Sequence, residues 1–209
     1  MNHESVKKIA LSGMFFCLGI VLPFLTGGLH QLGNMLLPMH LPVFFCGLIC
    51  GWDWGLVVGF LLPVSRSLLF GMPILYPDAI AMSFELGVYG AVSGYLFHYS
   101  KLNFTRAVYR SIIIAMVSGR IVWGVAELIL LRLSKKGFTF DAFVTATFMR
   151  SIPGIFIQLV LIPLIMTALF KSGFIKYSTE NAPKAKFAHI KIKEETYRDD
   201  IPDDEEENY

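Results

Sequence analysis

The sequence predicts an all-α, polytopic membrane protein with six transmembrane helices and both termini on the cytoplasmic side. Three observations carry that expectation. Of the 209 residues, 55% are hydrophobic and 16% charged, with a mean hydropathy of +0.58, whereas a soluble domain carries roughly 25% charged residues. The apolar residues gather in blocks of roughly 18 to 25, the length that spans a bilayer core. The basic residues fall mostly at one side of the path those blocks trace, as the positive-inside rule requires.

The first block, residues 8–25, follows a charged start, Met1 to Lys8. That arrangement superficially suits a signal peptide, but no small-residue cleavage site follows and further spans come later, so it reads as a transmembrane helix. The second block, residues 36–51, is interrupted at its start by Pro38 and Pro42. Each leaves a backbone carbonyl needing another partner, which predicts an irregular outer end. Trp52 and Asp53 then make a minimal turn into a third span at 55–70. Further spans at 80–99, 108–131 and 152–170 complete the six. Residues 1–172 thus form the membrane domain, and residues 173–209, polar and without apolar periodicity, read as a charged, disordered cytoplasmic tail.

The net charge of +2 hides an asymmetry. Ten of the sixteen acidic residues lie in the tail, from Glu180 to Glu207, and residues 1–172 hold twelve Lys/Arg against six Asp/Glu. That local excess of positive charge bears on orientation, and nucleic acid is not an expected partner. Lys7, Lys8, Lys101, Arg106, Arg110, Lys171 and Lys176 share the inner side of a six-span path, with Lys135 and Lys136 as the dissenting pair. Trp52, Trp54, Tyr99 and Tyr109 mark the inner interface as an aromatic belt, and the longer connections at 26–39 and 134–149 face outward. Gly47, Gly51, Gly55 and Gly59 recur every four residues, and Gly90 with Gly94 repeats the spacing, which lets helix backbones approach closely. Cys17, Cys46 and Cys50 lie inside apolar blocks, and an odd count there is no disulfide framework.

Against this background the ionisable residues within spans stand out: Arg66, Glu85, Arg120 and Glu127. Each costs roughly 2.5 to 3.5 kcal/mol at the centre of an inserted helix, so each needs a partner or water. Arg120 and Glu127, seven apart, project from one helix face with Trp123 and Gly124 between them, and Asp78, Met82, Glu85 and Tyr89 make a similar stripe. Arg150 adds a charge where the sixth span begins, Gln158 follows two turns inward, and His40 sits between the two prolines of the second block. The pattern outlines a polar cavity open toward the outside and closed by an apolar inner half. A channel would need a polar path continuing inward, so a binding pocket that another component moves fits better. The same charges also suit buried pairs, Arg120 with Glu127 or Arg66 with Glu85, that register helices without touching a ligand.

Catalysis has little support. The chain has no HExxH, nucleophile elbow, CxxC or glycine-rich phosphate loop, and Cys46 and Cys50 share a helix face without nearby metal ligands. No metal or cofactor is expected. An enzyme using Glu85 and Glu127 on a lipid-linked substrate, or a membrane scaffold without ligand, are the alternatives to a binding protein.

Over residues 7–172 the chain resembles the substrate-binding S components of energy-coupling-factor (ECF) vitamin transporters. The resemblance rests on Leu37-Pro38-Met39-His40-Leu41-Pro42-Val43 leading into a glycine-rich hairpin, on Leu69-Phe70-Gly71-Met72-Pro73 before an acidic fourth span, and on Gly119-Arg120-Ile121-Val122-Trp123-Gly124 in the fifth. It implies a multi-pass subunit of a bacterial cytoplasmic membrane with an outward pocket lidded by the first outer loop. It also implies a membrane coupling subunit and two cytoplasmic ATPases as partners. The ligand would be a vitamin or cofactor precursor, pantothenate-like or nucleoside-like such as α-ribazole, bound by Arg120, Glu127, Glu85, Trp123, Arg66, Arg150, His40 and Gln158. Such proteins dock through an alanine-x-x-x-alanine surface on the first helix. Here Met14 follows Ala10 at the fourth position, while Gly13 and Cys17 keep a small-x-x-x-small pair, so the resemblance implies docking through Ala10, Gly13 and Cys17.

Overall fold

A helix satisfies every backbone amide and carbonyl within one segment, the requirement that bilayer depth imposes on an apolar chain. The computed structural model describes residues 3–26, 38–133, 152–175 and 177. Among them are six α-helices and no β-strand: α1 (His3–Val21), α2 (His40–Cys50), α3 (Trp52–Phe70), α4 (Ile80–His98), α5 (Phe104–Leu133) and α6 (Ile152–Lys171). Five helical runs are long and apolar enough to cross a membrane, and α2 is shorter.

That short helix corrects the expected second span at 36–51. Pro38 and Met39 form a turn, and α2 begins only at His40. Its 11 residues rise about 16 Å, about half of a roughly 30 Å hydrocarbon core. Pro42 falls within the first turn, where its missing N–H has no intrahelical acceptor to lose. Val43, Phe44, Cys46, Leu48 and Cys50 are fully buried, so α2 is a core helix wrapped by the others. The turn after it is also tighter than expected. Gly51 alone makes it, at φ 113°, and Trp52 and Asp53 already belong to α3, with Asp53 in the first turn, where a negative charge complements the helix dipole.

Glycine sets the distances between the central helices. A Cβ built on Gly55 would lie 2.7 Å from the Gly47 Cα and from the Gly90 carbonyl oxygen, and one on Gly94 would lie 2.6 Å from the Gly47 oxygen. One on Gly90 would run into the Gly55 backbone, and one on Gly59 into that of Leu86. Thus α2, α3 and α4 meet backbone to backbone, the use of small residues expected of helices packed in lipid. The central helix is α4, which touches α2, α3 and α5, while α1 lies on α2 and α3, and α6 on α5 and α2.

The end of the bundle beyond α4 is closed by rings. Phe104 stacks on Phe170 at 4.4 Å, and Phe97 and Tyr177 complete the cluster. Helix α6 ends at Gly173, φ 75°, and the chain folds back, burying Ile175. The Tyr177 hydroxyl donates to the Ser100 carbonyl at 3.1 Å and the Leu102 carbonyl at 2.9 Å. Burial pushes that phenol's pKa up, which keeps the donated proton in place. The packed chain therefore runs at least to Tyr177, beyond residue 172.

The glycine contacts predict opposite outcomes for two neighbours on α4. Gly90→Ala, which drives a methyl into the Gly55 backbone, should lower stability by about 1–3 kcal/mol, the usual effect of overpacking. Gly87→Ala should be near neutral, because its Cβ would meet nothing closer than 3.7 Å. Thermal melting of the two variants in detergent checks this, and equal melting temperatures would contradict the backbone contact.

Candidate functional site

Glu85 lies on the face of α4 turned toward α2 and α5, and it is 2% exposed. A carboxylate so placed must be satisfied by protein. Tyr89, one turn further along α4, donates its hydroxyl to Glu85 Oε1 at 2.6 Å, and Arg120 of α5 brings Nη1 to 3.2 Å from the same oxygen. Gly119 makes this geometry possible, because a Cβ there would collide with the Tyr89 ring. From α2, Phe44 stacks on that ring at 5.1 Å and His40 lies against it at 5.5 Å. Three helices thus converge on one carboxylate.

The ion pair that forms is neither of the two combinations expected from the sequence. Arg120 pairs with Glu85 across helices, and Arg66 lies elsewhere: its Nη1 donates to the Ile20 carbonyl at 2.7 Å, and its guanidinium sits over the rings of Phe24 (5.0 Å) and Phe70 (5.8 Å). That contact secures a carbonyl in the last turn of α1, a group that α1 cannot satisfy itself. Glu127, two turns from Arg120, is buried with Oε2 lacking a hydrogen-bond partner among the described residues. Nearby, the Tyr76 hydroxyl donates to the Leu130 carbonyl at 2.6 Å, tying the segment before α4 to α5. His40 and Gln158 are each 1% exposed, and Trp123 is half-buried on α5. Arg150 lies outside the described residues.

Beside the ion pair, a groove of about 580 Å³ runs between α5 and α6. Its wall is apolar, with Met116, Gly124, Ile155 and Leu159 prominent, and Arg120 is the charged residue on it. Arg120 Nε is buried with no hydrogen-bond partner among the described residues. Sequence reasoning expected a cavity of mixed charge; of this wall it named Arg120 and Gly124 but not Met116, Ile155 or Leu159, which look like ordinary span residues. The roles of Tyr89 and Gly119 were also missed. The signal available was the four-residue spacing of Met116, Arg120 and Gly124, which puts a small and a flexible neighbour on the same helix face as the arginine.

On α1, Ala10, Gly13 and Cys17 are all exposed, next to Met14 at 47%, and a Cβ on Gly13 would meet nothing within 4 Å. They share one outward face of the bundle.

These features define a helical membrane protein with several apolar spans and a charged group on a concave apolar wall. Residues 7–180 match the family model described as ECF transporter, substrate-specific component, and the chain belongs to that family. No curated protein and no solved structure matches it.

The convergence on Glu85 predicts graded losses. Tyr89→Phe removes one donor and leaves Arg120 in place, so it should cost about 2 kcal/mol, the scale of a hydrogen bond to a charged group. Gly119→Val, which displaces the whole ring and strains the ion pair, should melt at a lower temperature than Tyr89→Phe. Thermal unfolding in detergent checks both, and wild-type stability of Gly119→Val would contradict the packing described.

Proposed function

We propose that this chain is the ligand-binding subunit of a bacterial ECF-type importer for a vitamin or cofactor precursor. It would span the cytoplasmic membrane six times with both termini inside. The observation that carries the reading is Arg120: it is paired on one side with a buried carboxylate, and it lines a groove large enough for a small molecule. A purely structural ion pair has no need of such a groove. Arg120 recognises an anionic or strongly accepting group of the ligand. Glu85 and Tyr89 hold that guanidinium in position, Trp123 walls the site, and Glu127, His40, Gln158 and Arg150 contribute charge or hydrogen bonds around it, whereas Arg66, engaged at the end of α1, takes no part. Pantothenate-like acids and nucleoside-like precursors such as α-ribazole are both candidate ligands.

Energy for transport comes from elsewhere. A membrane coupling subunit and two cytoplasmic ATPases would supply it, with Ala10, Gly13 and Cys17 forming the small-residue surface on which the coupling subunit packs. The exposure of all three on α1 supports this. The chain beyond the membrane domain, rich in Asp and Glu, would remain a solvated cytoplasmic tail.

Arg120→Ala should insert and purify yet lose the thermal stabilisation that the wild-type protein gains from its ligand in a screen of water-soluble vitamins and precursors. In mild detergent, the wild-type chain should co-purify with the coupling subunit and ATPases, and Gly13→Leu should not. Wild-type ligand affinity in Arg120→Ala, or absence of the partners from the wild-type preparation, would overturn the proposal.

A further inference from the structure

We infer that the ligand of this site is a small monocarboxylate with an apolar body, its carboxylate on Arg120 and its body along the α5–α6 groove. The inference rests on the proposed binding function and narrows its ligand class. The wall decides the body: apart from Arg120, the groove is lined by side chains such as Ile113, Met116, Leu128, Ile155 and Leu159 and by Gly124, none of which donates or accepts a side-chain hydrogen bond. Ring nitrogens and hydroxyls of a nucleoside would be stripped of water there and would find no partner on that wall among the described residues, a loss that strongly disfavours polar bodies. The volume of about 580 Å³ falls within the usual range of small-molecule sites.

Arg120 decides the head group. One guanidinium nitrogen, Nη1, is committed to Glu85, and the side chain keeps 14% of its surface exposed where it lines the groove. A guanidinium can engage carboxylates along more than one edge, in short charge-assisted hydrogen bonds. Glu85 also receives the Tyr89 hydroxyl, so it does not depend on Arg120 alone and can share it. A cationic ligand would face the arginine. A dianion such as a phosphate monoester would add two negative charges to a guanidinium that already balances Glu85, with Glu127 a further carboxylate two turns away on α5. A single carboxylate is the anion that this charge balance tolerates best.

Matched acid and amide pairs test the inference directly. The full-length protein in neutral-lipid nanodiscs would be titrated with lipoate against lipoamide and octanoate against octanamide, by calorimetry and thermal shift. Cytidine, thiamine and riboflavin serve as polar or cationic comparators. The acids should bind at least about tenfold more tightly than their amides, the size of effect expected for one charge-assisted contact. Arg120→Gln should bring the ratio to about one, and Leu159→Trp, which fills the groove without touching the ion pair, should weaken acid and amide alike. Equal binding of acid and amide, or stabilisation by the comparators but not the acids, would overturn the inference and leave the binding function standing. Acid binding that disappears when the nanodiscs contain phosphatidylglycerol would identify the groove as a lipid site and overturn it too. Silence from every compound would count against the binding function itself.

Discussion

Glu85 has no water to turn to. At its depth in α4 the carboxylate must find its donors in protein, and it finds two, the guanidinium of Arg120 and the hydroxyl of Tyr89, on a single oxygen. Much of the surrounding architecture follows from that need. Tyr89 reaches its position because α5 presents Gly119 where any larger residue would strike the ring, and Phe44 and His40 of α2 hold the ring's other side. The helix carrying Glu85 is itself fixed by the backbone contacts of Gly47, Gly55 and Gly90, so an error of one residue in the register of α2, α3 or α4 would separate the charges. Removing one member of a buried pair commonly costs about 3–5 kcal/mol, a sizeable part of the roughly 5–15 kcal/mol by which native proteins are stable.

The same pair connects structure to function. Arg66 shows the use of a charge for registry alone: its guanidinium holds the Ile20 carbonyl and lies over Phe24 and Phe70. Arg120 is paired with Glu85 and also forms part of a groove wall between α5 and α6. The two intramembrane arginines thus illustrate two uses of one side chain: one secures a helix end, and the other is left with capacity for something more. The opposite end of the bundle is closed by Phe97, Phe104, Phe170 and Tyr177, and the charged group there, Arg110, reaches the Leu96 carbonyl at 3.5 Å.

Much of this was legible in the sequence, and the gaps have physical reasons. Apolar blocks gave the helices to within a few residues because length and hydropathy act locally. The half-length α2 was signalled by Pro38 and Pro42 but not its extent, since a proline in a first turn is compatible with several starting points. That Arg66, Glu85, Arg120 and Glu127 needed explanation followed from their cost in a bilayer. Which of them would meet did not, because pairing depends on helix rotation and neighbour choice, and Arg120 found Glu85 rather than the Glu127 on its own helix. The groove was invisible for a related reason: Met116 and Leu159 differ in no way from residues that face lipid until α6 is placed beside α5.

A charge-swapped protein, Glu85→Arg with Arg120→Glu, separates the two roles assigned to this pair. Each single substitution should be poorly tolerated, since two like charges would then face each other in a dry setting. The double variant should recover much of the wild-type melting temperature in detergent while failing to be stabilised by the compound that stabilises the wild type, because the groove would now present a carboxylate. Wild-type ligand stabilisation in the swapped protein would contradict the account, and so would a double variant no more stable than either single one.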